Sequence, residues 1–108
     1  MPSTSLQHFE LHVLLAMLRE RGETYSVPLV LALEERTGRP VSQAAVFIAL
    51  KRLERKGLVT SRLDKPATGR TRRYVSITPA GLATVEAHRA EHVRLFQGLD
   101  RILRTRKA

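Results

Sequence analysis

Val41-Ser-Gln-Ala-Ala-Val-Phe-Ile-Ala-Leu-Lys-Arg-Leu-Glu-Arg-Lys-Gly-Leu-Val59 decides how this chain folds, together with Arg72-Arg-Tyr-Val-Ser-Ile-Thr-Pro-Ala-Gly81, which follows it across a basic loop. Ser42 is placed to cap a helix, its hydroxyl accepting from a free backbone N–H of the first turn. Gly57 is placed to end that helix, because glycine enters the left-handed region without steric cost. Between the two, Ala45, Val46, Ala49, Leu50 and Leu53 recur at helical spacing and form one apolar face, while Gln43, Ala44, Phe47, Ile48, Lys51 and Arg55 project elsewhere. One face packs, and the other is left to touch something.

C-terminal to this helix, Leu58–Leu63 and Arg73–Thr78 have strand composition and flank Asp64-Lys-Pro-Ala-Thr-Gly-Arg-Thr71, a turn-rich segment, which predicts an antiparallel hairpin. Thr78-Pro79 restarts a helix, with threonine as cap and proline at the first helical position. Its pattern runs to about Arg104, interrupted only by Gly98, which a helix tolerates at modest cost. Along it Val85, His88, His92, Leu95, Leu99 and Ile102 form a heptad-like seam, widened by Phe96 and Leu103. A bare stripe of this kind calls for a second copy of itself and for helix 1.

On the N-terminal side, a first helix is predicted from about Ser5 to Arg21. Phe9, Val13, Met17 and Leu14, Leu18 make i,i+4 series, and Leu11 and Leu15 make a second apolar row, so the helix is covered from more than one side. Sharing it with a second subunit satisfies both rows. A short second helix is predicted with Ser26 as cap, Pro28 in its early turn and Leu29, Val30 and Leu33 packing inward, ended by Gly38 and Pro40. Only Met1–Thr4 and Thr105–Ala108 read as loose ends.

The chain has 108 residues, enough for one domain with a modest core, and a formal charge of +9. A field of that sign favours polyanions. From Lys51 to Arg73 nine basic residues stand against two acidic ones, Glu54 and Asp64, so most of the net charge lies in the third helix and the hairpin. The chain has no cysteine, which excludes disulfides and thiolate ligands. No apolar run spans a bilayer and no signal-peptide pattern opens the sequence, so a soluble, cytoplasmic protein without membrane contact is the expectation. Catalytic patterns are lacking too: there is no phosphate-binding glycine loop, no nucleophile elbow and no His-Glu-x-x-His, and the acids Glu34, Glu35, Glu86 and Glu91 read as solvated helix residues. No enzyme and no cofactor are expected.

The order helix, helix, helix, hairpin, long helix describes a mainly α, α+β fold: a winged helix-turn-helix over residues 1–78, with a dimerisation helix and basic tail over 79–108, in one compact unit. From about Leu6 to Ala90 the chain resembles the PadR family of bacterial transcriptional regulators. The resemblance is carried by Val41-Ser42, Phe47-x-x-Leu50-Lys-x-Leu53-Glu-x-x-Gly57-Leu58-Val59, Gly69-Arg-x-Arg-Arg-Tyr74 and Ile77-Thr-Pro-Ala-Gly-Leu82. Its length resembles the short class, in which a single helix follows the wing. Two departures stand out. Phe47 occupies a position where the family usually has tyrosine, and Thr24-Tyr25-Ser26-Val27-Pro28 replaces the usual Gly-Tyr opening of helix 2.

Side chains suited to the major groove lie along the third helix. Gln43 pairs with adenine edges, Ala44 and Ile48 meet thymine methyls, and Lys51 reaches guanine or a phosphate. Phe47 either joins them or packs against the wing. Ser42 is a structural cap whose ordered helix N-terminus also suits phosphate. Arg52 and Lys65 belong to the same basic surface, and Arg70, at the glycine-containing wing tip, and Arg72 are expected on DNA. Arg73 has two readings, DNA contact or an ion pair to Glu54. The dimer interface is expected to use Phe9, Val13, Val85, His88, His92, Leu95, Phe96, Leu99 and Ile102.

His8, His12, His88 and His92 form two i,i+4 pairs, read as interface histidines that weaken the dimer on protonation and not as a metal site. The function read from charge and architecture is binding of double-stranded DNA. The apolar seam adds a homodimer, whose twofold symmetry calls for a pseudo-palindromic operator with half-sites roughly 34 Å apart, and the resemblance adds the label of repressor. It also adds a small aromatic or cationic effector between subunits, for which Phe9 and Phe96 are candidate lining, with packing in the core as their favoured role. The alternatives are a protein-interaction module and a nucleic-acid binder without sequence preference.

Overall fold

The computed structural model describes residues 6–107. Five helices and one hairpin follow in the order α1 His8–Arg19, α2 Ser26–Thr37, α3 Gln43–Arg55, β1 Val59–Asp64, β2 Arg72–Ile77, α4 Pro79–Phe96 and α5 Asp100–Lys107. This is an α+β winged helix: α1, α2 and α3 pack on one another, the hairpin lies against α3, and α4 returns over α1 and β2. Val13, Leu14, Met17, Leu29, Leu33, Val46, Leu50, Leu53, Leu58 and Val75 are buried together between these elements. Each such side chain removed from water contributes roughly 1.5–3 kcal/mol before the entropy of ordering it is counted.

The caps explain where the elements begin and turn. Ser42 Oγ accepts the Ala45 N–H at 3.0 Å, as its position before the apolar face predicts. Gly57 takes a φ of +77° just past α3 and lets the chain reverse into β1. Thr78 serves two elements at once, accepting the Gly81 N–H at 3.0 Å and donating to the Gly57 carbonyl at 2.7 Å. Gly81 then lies against β1's approach, where an added Cβ would fall 2.3 Å from the Leu58 carbonyl oxygen. The Thr-Pro-Ala-Gly stretch therefore locks the start of α4 onto the end of α3.

The strands pair antiparallel from Val59 opposite Ile77 to Asp64 opposite Arg72, one residue off the expected limits at both ends. A third, single-residue partner lies on the other edge of β2. Thr24 donates to the Val75 carbonyl at 3.1 Å and accepts the Val75 N–H at 2.8 Å.

Three expectations need correction. In α2 the cap position falls on Tyr25 and not on Ser26, which is already helical. Helix α1 begins at His8; the expected start at Ser5 lies outside the described residues. The long terminal helix is broken. Gly98 adopts φ +82° instead of a helical angle, Gln97 leaves the helix with ψ 128°, and a new helix starts at Asp100. Thr105 and Arg106, expected to be loose, lie within it. Leu99 and Ile102 thus belong to a different axis from Val85 and Leu95, and the heptad seam is interrupted. No helix of the described residues is long and apolar enough to cross a membrane.

Candidate nucleic-acid interface

Helix α3 has one outward face. Ala44, Ile48, Lys51 and Arg55, at i, i+4, i+7 and i+11, are all exposed, while Val46, Ala49, Leu50 and Leu53 are buried behind them. Arg55, absent from the expected contacts, ends this face at the last residue of α3. Its signal was its spacing from Ile48 and Lys51. Phe47 is 42 % exposed and stands on the wing side of the same face, lining a hollow with Lys51, Glu54, Arg73 and Val75. The hollow settles the packing question for Phe47 only by half, since one edge of the ring meets the protein and the other meets solvent.

Both flanks of α3 are tied down. Gln43 Nε2 donates to Ser26 Oγ at 3.0 Å, joining the N-termini of α2 and α3, so the amide expected to read adenine also holds the helix pair together. On the wing side Ser61 Oγ donates to Glu54 Oε2 at 2.7 Å and accepts from Arg73 Nη1 at 3.1 Å. Arg73 reaches Glu54 through this hydroxyl, not directly. On the opposite flank Arg52 Nη1 donates to Gln7 Oε1 at 3.1 Å and Lys56 Nζ to Glu10 Oε1 at 2.7 Å. Arg52 is therefore turned toward α1 and away from Ala44 and Lys51.

Glu10 is a buried charged residue that the sequence reading passed over. Only 2 % exposed, it is a carboxylate inside the core, and its Oε2 is buried without a hydrogen-bond partner. Burial by itself raises the Glu10 carboxyl. The Lys56 ammonium, the Gln7 N–H and the Arg52 charge outweigh burial and hold the carboxyl below its ordinary value. A lone glutamate in an otherwise apolar helical row was the available sign.

The hairpin presents two chemically different faces. Alternation places Ser61, Leu63, Arg73 and Val75 toward the α3 side and Arg62, Asp64, Arg72 and Tyr74 on the other. On that second face Arg62 makes a two-pronged pair with Glu23, both contacts at 2.7 Å, and lies 4.9 Å from the centre of the Tyr74 ring. Its hydrogen bond lowers the Glu23 carboxyl. Arg72 sits 4.7 Å over the Tyr25 ring, and the Tyr74 and Tyr25 side chains both favour its charged form. Arg73 shares the α3 side and Arg72 does not. Lys65 and Arg70 are exposed on the loop between the strands, where Gly69 takes φ +101°.

The expected dimer residues divide into two groups. Val13 is fully buried and Val85 nearly so, so these two build the chain's own interior, while Phe9 packs half-buried against the same core and keeps part of its surface. A side chain without exposed surface has none to give a partner. The other expected residues remain open. Leu95 is 69 % exposed, Phe96, Leu99 and Ile102 are exposed with it, and the His92 ring stacks on Phe96 at 4.4 Å. All four histidines border one groove of about 600 Å³ between α1 and α4, whose walls include Leu11, Leu15 and Leu95. His8 and His12 lie 6.5 Å apart, ring centre to ring centre. Among the described residues, no three histidine or acidic side chains converge on a metal position.

The sequence profile of the transcriptional regulator PadR-like family matches residues 14–87, more than half of the chain. No curated protein matches the chain by sequence. Solved structures do. A PadR family transcription regulator from Clostridium difficile R20291 superposes with TM-score 0.76 at 20 % identity, covering 90 % of this chain and 99 % of that one. Another from Eggerthella lenta DSM 2243 gives 0.69 at 27 % identity, covering 88 % and 87 %. BpsR of Bordetella bronchiseptica, whose DNA binding is regulated by 6-hydroxynicotinic acid, gives 0.65 at 29 % identity, covering 100 % and 84 %.

Proposed function

Because the chain belongs to the PadR-like family of transcriptional regulators, we propose that it is a homodimeric repressor that binds a specific, pseudo-palindromic site on double-stranded DNA. The observation that carries this reading is the juxtaposition of an exposed, non-acidic α3 face with a basic hairpin whose Arg73 points the same way. Ala44 and Ile48 offer methyl contacts, and Lys51 and Arg55 offer hydrogen bonds to guanine or phosphate. Ser42 and the N–H groups behind it suit a backbone phosphate. Arg70 and Lys65, at the loop, reach the neighbouring groove or its phosphates. Gln43 contributes to reading by fixing α3 against α2 as well as by its own amide.

A dimer fits the same reading. Leu95, Phe96, Leu99 and Ile102 are exposed apolar side chains at the end of α4 and the start of α5, a surface that water covers poorly. A second copy covers them and sets two α3 helices on successive half-sites. An effector is part of the proposal as well. BpsR answers to a small aromatic acid, and the groove between α1 and α4 has the apolar walls and histidine rim to admit a small organic ligand.

The test is fluorescence anisotropy on the DNA upstream of the protein's own gene, at physiological salt with excess nonspecific competitor. Binding that survives competitor with two subunits per site supports the proposal. Binding erased by competitor on every fragment of a genomic selection makes the protein a general nucleic-acid binder. No binding at low salt leaves the protein-interaction reading.

A further inference from the structure

We infer that Glu10 is a positioning residue for α3 and that, with Gln7, it ties the orientation of that helix to a small organic ligand in the groove between α1 and α4. The inference rests on the proposed reading of α3 as the helix that enters DNA.

Glu10 Oε1 is a junction between the two helices. It accepts the Gln7 backbone N–H at 2.9 Å, which fixes the first turn of α1, and the Lys56 ammonium at 2.7 Å, which fixes the end of α3. Gln7 adds a second tie through Arg52. A buried carboxylate is a poor way to fill space, since an apolar residue of the same volume is often neutral or better for stability. What a charge-assisted hydrogen bond adds is direction: it is short and angle-dependent, so it resists rotation in a way that apolar packing does not. Arg52 and Lys56 lie one turn apart on the flank next to Ile48 and Arg55. Any roll of α3 that re-aims those side chains strains at least one of the two ties.

The same turn of α1 has another neighbour. Leu6, Gln7 and Leu11 line the α1–α4 groove opposite Val85, His88 and Leu95. One side of this turn thus meets the groove while the other holds α3. A body that enters the groove and presses on Gln7 and Leu11 displaces the junction and takes Lys56 and Arg52 with it.

Residual dipolar couplings of the backbone amides in the DNA-free, full-length protein measure the angle between α1 and α3 directly. We expect Glu10→Gln, which keeps the size and removes the charge, to turn α3 by about 10° or more, the tolerance that separates a held site from a loose one. Gln7→Ala, which removes the Arg52 tie and leaves both Glu10 hydrogen bonds in place, is expected to turn it in the same sense by less, and Lys56→Met, which removes the other half of the junction, decides if Glu10→Gln fails to fold. All the folded variants keeping the parent angle overturns the positioning role. Leu11→Trp, which fills the groove from its own wall, is expected to shift α3 in the parent and not in Glu10→Gln; equal shifts in both overturn the transmission. On DNA, the ratio of specific to nonspecific affinity falls roughly tenfold in Glu10→Gln, the value of one lost base contact. A parent protein without sequence preference defeats the DNA reading, and the angle measurement still decides this inference.

Discussion

Arg72 and Arg73 are neighbours in sequence and face opposite sides of the hairpin, the first stacked over Tyr25 at 4.7 Å and the second donating to Ser61 at 3.1 Å beside α3. Arg73→Ala is therefore expected to weaken binding to all DNA and to lower the salt slope by about one. Arg72→Ala leaves both unchanged. Anisotropy titrations across a salt series check this pair, and the opposite ranking would put the Tyr25 side of the wing against DNA.

Steric closeness at Gly81 gives a second expectation. A methyl group there meets the Leu58 carbonyl oxygen and Ile77 Cγ1, neither of which can withdraw without moving backbone or core. Gly81→Ala should cost about 3 kcal/mol, at the upper end for overpacking, and appear as a lower midpoint in urea with an unchanged slope. A midpoint equal to the parent's would show that α4 can lift off β1 freely.

The Glu10–Lys56 pair makes stability depend on acid. Its folded-state carboxyl is held below the ordinary value, so the pair's contribution is fully present above the unfolded glutamate range, about pH 4.3, and is lost as pH falls through the folded value. The parent should exceed Glu10→Gln by about 2 kcal/mol near neutrality. That gap should narrow steadily below pH 4. Chemical denaturation of both proteins at several pH values measures it. The exposed Glu23–Arg62 pair has a lowered carboxyl too, and solvent screening leaves it little weight.

The exposed set on α4 predicts assembly. Leu95→Glu with Phe96→Glu is expected to sediment at the single-chain mass of 12.2 kDa, whereas the parent sediments at twice that value. Val85→Ala tests the distinction between interior and interface. It should lower stability by about 1–2 kcal/mol without changing the mass.

Much of this architecture was legible because it is written in local chemistry. Ser42, Gly57 and Thr78-Pro79 mark element ends by hydrogen bonds that span only a few residues, and the apolar face of α3 repeats at a period set by the helix itself. What escaped depended on distant partners. Gly98 was read by its small energetic cost inside a helix, yet its freedom to adopt a positive φ is what the chain uses, and nothing in the residues beside it distinguishes those two roles. The directions of Arg72 and Arg73 hang on strand register, where an error of one residue exchanges the faces. Glu10 stood out in sequence only as a lone acid in an apolar row, and its partner could not be read there because Lys56 comes to it only when α1 and α3 are packed. Val13 and Val85 were assigned to a partner because a stripe shows which side chains are apolar and not which neighbour covers them.

The two-way bridge between Thr24 and Val75 has its own consequence for how the molecule is made. It joins the loop after α1 to the middle of the wing, so the hairpin cannot complete its hydrogen bonding as a local, self-sufficient unit. Closing that long loop is entropically expensive and is repaid only when the helices between have already collapsed. The outer edge of β2 is thus expected to pair only once the helices have packed, and the Val75 amide to exchange with solvent as slowly as the amides of the helical core, which hydrogen exchange measures.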